Sequence, residues 1–300
     1  MKSVLLKNGR ILDVENSTII DADVLIEGES IKAVMERGEN RNPITSIPDL
    51  ERDLKGKFVS PGFVDSHLHI ESSMVPPLRF AYHAVRRGTT TMLVDPHEIT
   101  NVMGRKGIDL WIDQAKKADL DMFVAIPSCV PATNVGHSGA SIGLEDIAHY
   151  LEDYQVYGLG EMMDYRAIIQ GKNNAREKVE MTLKRYKIVE GHCPGLEGKK
   201  LLTYATNGKN DGKIRITSDH EVTTPSEAME RIDLGMKVML RHGTASQDLQ
   251  PVLKGLIEEG YPLDNCMLCS DDISASHLYK KGHIDRLIKI ARRTILKQSD

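Results

Sequence analysis

Ser60-Pro-Gly-Phe-Val-Asp-Ser-His-Leu-His-Ile-Glu-Ser-Ser73 reads as a strand that ends on two histidines, His67 and His69. Side chains alternate faces along a strand with a period of two, so both imidazoles point to the same side. Two neutral imidazoles on one side can chelate a metal. They can equally be held by backbone hydrogen bonds, and the rest of the chain decides between the two.

Towards the carboxyl end, strand patterns alternate with helix patterns. The strand runs are Phe58 to Ile70, Thr89 to Asp95, Met122 to Pro127, Val156 to Met162, Lys187 to His192, Lys213 to His220, Lys237 to Arg241 and Asn265 to Asp271. The helical runs are Pro77 to Arg87, Gly104 to Ala118, Leu144 to Asp153, Asn174 to Tyr186, Lys199 to Thr206, Ser226 to Gly235, Leu249 to Glu259 and Gly282 to Lys297. Thr224-Pro225-Ser226 with Glu227 in the first turn is a helix start signal. Such alternation builds parallel βαβ units, and eight pairs in about 240 residues match an α/β (β/α)8 TIM barrel. An open doubly wound sheet needs a glycine-rich phosphate loop after its first strand; His-Leu-His stands there instead.

Towards the amino end lie shorter strands: Val4 to Leu6, a turn at Asn8-Gly9, Arg10 to Val14, Ala22 to Ile26 and Ile31 to Val34. Short alternating runs broken by Asn-Gly and Gly read as a small β module. From Asn40 to Glu51 the pattern dissolves into a loop or an irregular edge. The chain therefore divides into a β module over 1–59 and a barrel over 60–300.

Composition narrows the function. Of 300 residues, 40% are hydrophobic and 27% charged, with a net charge of -4. The signs are interleaved, so neither nucleic acid nor an anionic membrane is expected as a partner. Met1 to Asp13 has no signal-peptide run and no stretch is apolar enough to span a bilayer, so a cytoplasmic location is expected. Cys266-Met-Leu-Cys269 has no second C-x-x-C and sits in an apolar strand run, which favours packing over metal binding.

Barrel active sites are built at the carboxyl ends of the strands. His67 and His69 end the first strand, Glu161 the fourth, His192 the fifth, His220 the sixth and Asp271 the eighth. Four imidazoles and two carboxylates exceed what one tetrahedral zinc site with an open position uses. They suit two divalent ions with Glu161 bridging, and mixed nitrogen and oxygen ligands admit zinc, iron or manganese. Such ions lower the pKa of water from about 15.7 towards about 7. Asp271 can then accept a proton and pass it to a leaving group, with Asp272 the alternative because neighbours on a strand face opposite ways. His97 and Glu98, after the second strand, are candidates for substrate contacts or ligand orientation, or for a helix cap. Glu71 and Glu221 adjoin ligand candidates and can orient them or protonate a substrate nitrogen. His69-Ile-Glu71 is also half of the H-x-E and Pro-Cys-x-x-Cys signature of a different zinc-enzyme fold, but Asn265 stands where that signature needs proline.

The H-x-H after Pro-Gly-Phe-Val-Asp, with the later His, His and Asp, resembles the amidohydrolase superfamily. Longer words narrow the resemblance: H-I-E-S-S-M, T-T-T-M-L-V-D-P-H-E-I-T-N-V-M-G, G-L-G-E-M-M-D-Y, G-H-C-P-G-L-E-G-K-K-L, S-D-H-E-V-T-T and C-S-D-D are similar to bacterial adenine deaminases. The resemblance implies hydrolysis of adenine to hypoxanthine and ammonia, with a small purine as the partner and a homo-oligomer left open. It also implies two divalent ions, manganese or iron, with zinc admitted, and puts Glu161 where many relatives carry a carboxylated lysine. Three departures stand out. His242 lies in L-R-H-G where the family carries L-R-E-G, which bears on substrate choice. Asn207 to Arg215 is longer and more polar than the family's turn, and Pro131 to His137 lacks the acidic residue found there. Family members continue beyond the eighth strand into a part that completes the β module. The resemblance thus implies an incomplete composite β-sandwich and a truncated member or fragment. The alternatives are a related amidohydrolase acting on another cyclic amine or amide, and an inactive homologue that only binds.

Overall fold

Residues 2–38, 47–132 and 137–297 are described by a computed structural model, in which Met1–Gly62 and Phe63–Asp300 are separate units. In the first, β1 (Ser3–Asp13) pairs antiparallel with β2 (Thr18–Glu27), and β2 pairs with β3 (Ser30–Glu36). β4 (Leu50–Asp53) and β5 (Phe58–Val59) both run parallel to β1. Leu5, Ala22, Val24 and Leu25 are its buried apolar side chains. The expected turn at Asn8-Gly9 is instead a bulge within one continuous strand, with the register shifting between Leu6 and Gly9. Asn8 takes the left-handed φ of 59° there, which asparagine tolerates better than most residues, and its N–H donates to Asp23 Oδ1 at 2.8 Å. The loop expected over 40–51 is part strand, since Leu50 and Glu51 belong to β4; 40–46 lie outside the described residues.

The second unit holds eight parallel strands: β6 (Phe63–His69), β7 (Thr89–Val94), β8 (Asp121–Ile126), β9 (Val156–Met162), β10 (Ile188–Gly191), β11 (Ser218–Asp219), β12 (Lys237–Arg241) and β13 (Cys266–Cys269). A short β14 (Asp271–Asp272) follows, and helices separate the strands. This is the (β/α)8 barrel the alternation predicts. Its ladder runs in two arcs, β10-β9-β8-β7-β6-β14 and β11-β12-β13. The first strand does not run unbroken from Phe58: β5 ends at Val59 and β6 begins afresh at Phe63, with Pro61, which has no N–H to give a ladder, between them. The sixth strand shrinks from the expected Lys213–His220 to two residues. Upstream of it, the N–H groups of Arg215 and Ile216 donate to Ala205 O at 2.8 and 3.1 Å and cap the preceding helix rather than pair with a strand.

Three further helices, His97–Met103, Tyr165–Gln170 and Ala275–Lys281, escape the periodicity because six or seven residues give too few turns for a pattern to register. The helix Pro225–Asp233 starts as predicted. Thr224 Oγ1 accepts from Glu227 N, Glu227 Oε2 accepts from Thr224 N, and Pro225 takes the first position, where its missing N–H is not needed. This helix and Leu249–Glu258 bury Ala228, Ile232, Val252 and Leu256 with Val238 and Leu240 of β12. Full burial of each large apolar side chain contributes about 1.5–3 kcal/mol. No helix among the described residues is long and apolar enough to cross a membrane.

At the closing seam, β14 pairs with β6, setting Asp271 opposite Leu68 and Asp272 opposite His69. Buried Asp65 staples that seam, its carboxylate accepting from Ser270 N at 3.0 Å and Ser270 Oγ at 2.5 Å. His283 Nε2 lies 2.8 Å from the same carboxylate.

Candidate metal centre

His67 and His69, two apart on β6, face the lumen and are buried; a register shift between Asp65 and Leu68 takes buried Asp65 out of that alternation, towards Ser270 and His283. His67 Nδ1 meets Glu190 Oε2 at 2.9 Å, and His69 Nδ1 meets the backbone oxygen of Asp95 at 2.9 Å. A carboxylate and a carbonyl only accept, so each Nδ1 is the donor. Both Nε2 lone pairs then face one another at 3.1 Å. Two buried lone pairs at that distance repel unless a cation lies between them, so this donor set fits a metal.

Glu161, at the end of β9, divides four imidazoles between its two oxygens. Its Oε1 lies 3.4 Å from His69 Nε2 and 3.2 Å from His97 Nδ1; its Oε2 lies 2.5 Å from His192 Nδ1 and 3.2 Å from His220 Nε2. Burial would raise the Glu161 carboxyl, but the bonds with His192 and His220 hold it well below the usual carboxylate range. Asp271 completes the ring with Oδ1 3.5 Å from His69 Nε2 and 4.0 Å from His67 Nε2. The donor atoms of His67, His69 and Glu161 lie within 4.8 Å of one another, as do those of His67, His220 and Asp271, and those of Glu161, His192 and His220.

All six residues singled out by strand position therefore meet in one place. The two aspartates separate: Asp271 is buried, with a φ of 52° that few non-glycine residues adopt, whereas Asp272 is exposed and accepts from Ser72 Oγ. His97 stands closer than expected, against Glu161, and its side chain does not cap its helix. Burial would lower it, but Asp95 and Glu161 push it up to about 9. Glu98 Oε1 lies 3.6 Å from His97 Nε2. Glu71 is pushed up to about 8 by burial and by the charge of Glu98. Glu221 Oε1 lies 3.5 Å from His220 Nε2 and 2.6 Å from Arg241 Nη1. His242 turns elsewhere: its Nε2 lies 2.9 Å from Arg286 Nη2, and burial with that neighbouring charge lowers it to about 4. Of Pro131 to His137, residues 133–136 lie outside the described residues.

Three participants were not singled out from the sequence. Asp95 Oδ2 accepts from Glu161 N at 2.9 Å, and the approach requires Gly160, where a Cβ would stand 2.3 Å from that oxygen. Arg241 Nη1 lies 3.4 Å from Asp271 Oδ2. Glu190, fully buried, orients His67; it lies two residues before His192, so the period of two was its available signal. Glu190→Gln is expected to weaken binding of the tightest divalent ion about 10–100-fold, because a neutral amide oxygen accepts from Nδ1–H less strongly than a carboxylate, which holds the tautomer less firmly and makes Nε2 less basic. Chelator competition on the folded variant measures this, and unchanged affinity refutes it.

A model of the amidohydrolase family matches residues 58–293. A Kosmotoga olearia protein named adenine deaminase is 38% identical over 289 residues, 96% of this chain and 47% of that protein. One of the same name from Clostridium acetobutylicum is 38% identical over 96% of this chain and 48% of its own length. The chain thus spans about half the length of the curated relatives it matches. Among solved structures, a beta-aspartyl dipeptidase from Fervidobacterium islandicum aligns with a TM-score of 0.63 at 17% identity, covering 99% of this chain and 82% of that one. A dihydroorotase aligns with a TM-score of 0.60 at 16% identity, covering 97% and 84%. At such identities these likenesses speak for the fold alone. On the family match and the curated relatives, the chain belongs to the amidohydrolase family.

Proposed function

We propose that the chain is an adenine aminohydrolase, converting adenine and water to hypoxanthine and ammonia. The division of imidazoles by Glu161 carries the hydrolytic reading, and similarity to proteins named adenine deaminase supports the substrate. In this reading His67, His69, Asp271 and Glu161 hold one divalent ion and Glu161, His192 and His220 a second, manganese or iron in preference, with zinc admitted. When bound, such ions acidify water and act as Lewis acids.

The chain's own groups supply the proton traffic. Asp271 accepts a proton from the attacking water and delivers it to the departing amine, because an amine leaves readily only once protonated. Glu71, a buried carboxyl beside Glu98, is the donor to the ring nitrogen next to C6 as that carbon becomes tetrahedral, and the second proton of the water restores it once the C6 carbonyl forms. His97 and Glu98 border the same space and orient the purine, while Arg241 holds Asp271 and Glu221 apart from one another's charge.

Ammonia release from adenine by the manganese-loaded chain tests the reading, run beside other purines, pyrimidines and cyclic ureas. Preference for adenine is expected. No release from folded, metal-replete protein overturns the reading, and preference for a cyclic urea or another amine replaces it with the related hydrolase that His242 brings into view.

A further inference from the structure

His192 and His220 stand on opposite sides of a gap in the barrel. β10 and β11 belong to different arcs of the ladder, and β11 is only Ser218–Asp219. One backbone bond between them, Thr217 N to Val189 O at 3.0 Å, crosses upstream of both histidines. The strands nevertheless press together: a Cβ on Gly191 would stand 2.1 Å from Ser218 O. The ladder that sets ligand spacing elsewhere in the barrel is missing where two ligands must share Glu161 Oε2.

Side chains fill that role. Asp219, next to His220, accepts from Cys193 N at 3.3 Å and Glu221 N at 3.1 Å through Oδ1, and from Cys193 Sγ at 3.0 Å through Oδ2. Cys193 is next to His192. Arg231, from the helix Pro225–Asp233, donates through Nε to Asp219 Oδ2 at 2.9 Å and through Nη2 to Cys193 O at 3.0 Å. The side chains of Arg231 and Asp219 are wholly buried. His192 has a second restraint, its N–H donating to Tyr204 Oη at 2.9 Å. His220 has less: its Nδ1 is buried without a hydrogen-bond partner, so beyond its contacts within the site with Glu161, Glu221 and the His67 ring, its place depends on the backbone at Asp219.

We propose that Arg231 is a positioning residue, clasping Asp219 and Cys193 across the β10–β11 gap so that His192 and His220 hold the spacing one of the two cation positions needs. A buried ion pair gives little net stability over apolar side chains of equal volume. A guanidinium fork gives direction, fixing a carboxylate and a carbonyl from two strands in one plane. The inference rests on the two-ion reading above.

The test uses the whole chain and manganese. Wild type is expected to bind two ions per chain in chelator competition, with the electron paramagnetic resonance of a coupled pair. R231M/D219N removes both charges together, leaving no buried ion uncompensated. Its weaker ion is expected to lose affinity about 10–100-fold while the tighter changes by less than about threefold, and the spectrum becomes that of isolated ions. R231K, which keeps the charge but not the fork, is expected to fall between. Equal weakening of both ions, or of neither, overturns the inference while leaving the two-ion reading standing; fewer than two ions in wild type overturns both. If the double variant does not fold, R231K decides by the same comparison of weaker and tighter ion.

Discussion

Glu161→Gln is expected to abolish simultaneous binding of two ions and to lower turnover by on the order of 10³-fold or more. Four imidazole nitrogens crowd the two oxygens of this side chain, two on each. Glutamine keeps the shape but offers one acceptor and one amide donor, so whichever way it turns, one pair of nitrogens meets N–H groups. The lost charge also leaves the buried histidines without the counter-ion they share. Losing an outer partner of a ligand costs about 10–100-fold in affinity; losing a shared ligand removes one position outright and weakens the other. Without the ions the pKa of water returns from about 7 towards about 15.7, which depletes the nucleophile at neutral pH. Metal content per folded chain and kcat on adenine are the measurements, with circular dichroism as the control for folding. Two ions bound with kcat within about tenfold of wild type would refute the bridging role.

The part of the site that follows from strand period and strand ends was legible: His67 and His69 from their spacing, and Glu161, His192, His220 and Asp271 from their places in the alternation. The barrel followed from the same signal. What stayed hidden depends on approach between distant strands. Asp95 reaches Glu161 N only because Gly160 has no side chain, and a glycine in a strand announces close approach without naming the partner. Glu190 and Arg241 acquire meaning from His67 and Asp271, which lie 123 and 30 residues away. The expected straight strand Asn265 to Asp271 instead breaks at Ser270, because Asp65 claims that residue's N–H and hydroxyl.

The two gaps in the ladder share a solution. Between β13 and β6, Asp65 binds Ser270, just before Asp271; between β10 and β11, Asp219 binds Cys193, just after His192. In each case a buried aspartate joins strands that the ladder leaves unpaired, directly beside a candidate ligand. Backbone bonding fixes strands to a common register, which places side chains at fixed intervals. A ligand set that needs other intervals is easier to hold where the ladder is interrupted and polar side chains take over. Such groups must find every partner when buried, and this ties the local sequence at both gaps to aspartate.

Asp271→Asn is expected to lower kcat about 10²–10⁴-fold, the range for loss of a positioned proton carrier, whereas Asp272→Asn changes it by less than about threefold. Register alone would set Asp272, not Asp271, on the face of His69; the left-handed φ of 52° at Asp271 breaks that alternation. Asp271 pairs with Leu68, between His67 and His69, and its carboxylate turns inward to the histidine nitrogens. The next residue faces the other way, where Ser72 takes it up. Burial alone would raise the Asp271 carboxyl, but His220, His67, His69 and Arg241 outweigh it and lower it, keeping it ionised and ready to accept a proton. Asparagine cannot accept that proton, and it is mismatched in either orientation. Its oxygen towards Arg241 Nη1 leaves an amide N–H, not a lone pair, facing the cation position beside His69 Nε2, and the reverse points donors at a guanidinium. Metal content measured beside kcat and KM separates lost proton transfer from lost binding. If Asp272→Asn carries the larger loss at full metal content, the inward aspartate is not the proton carrier.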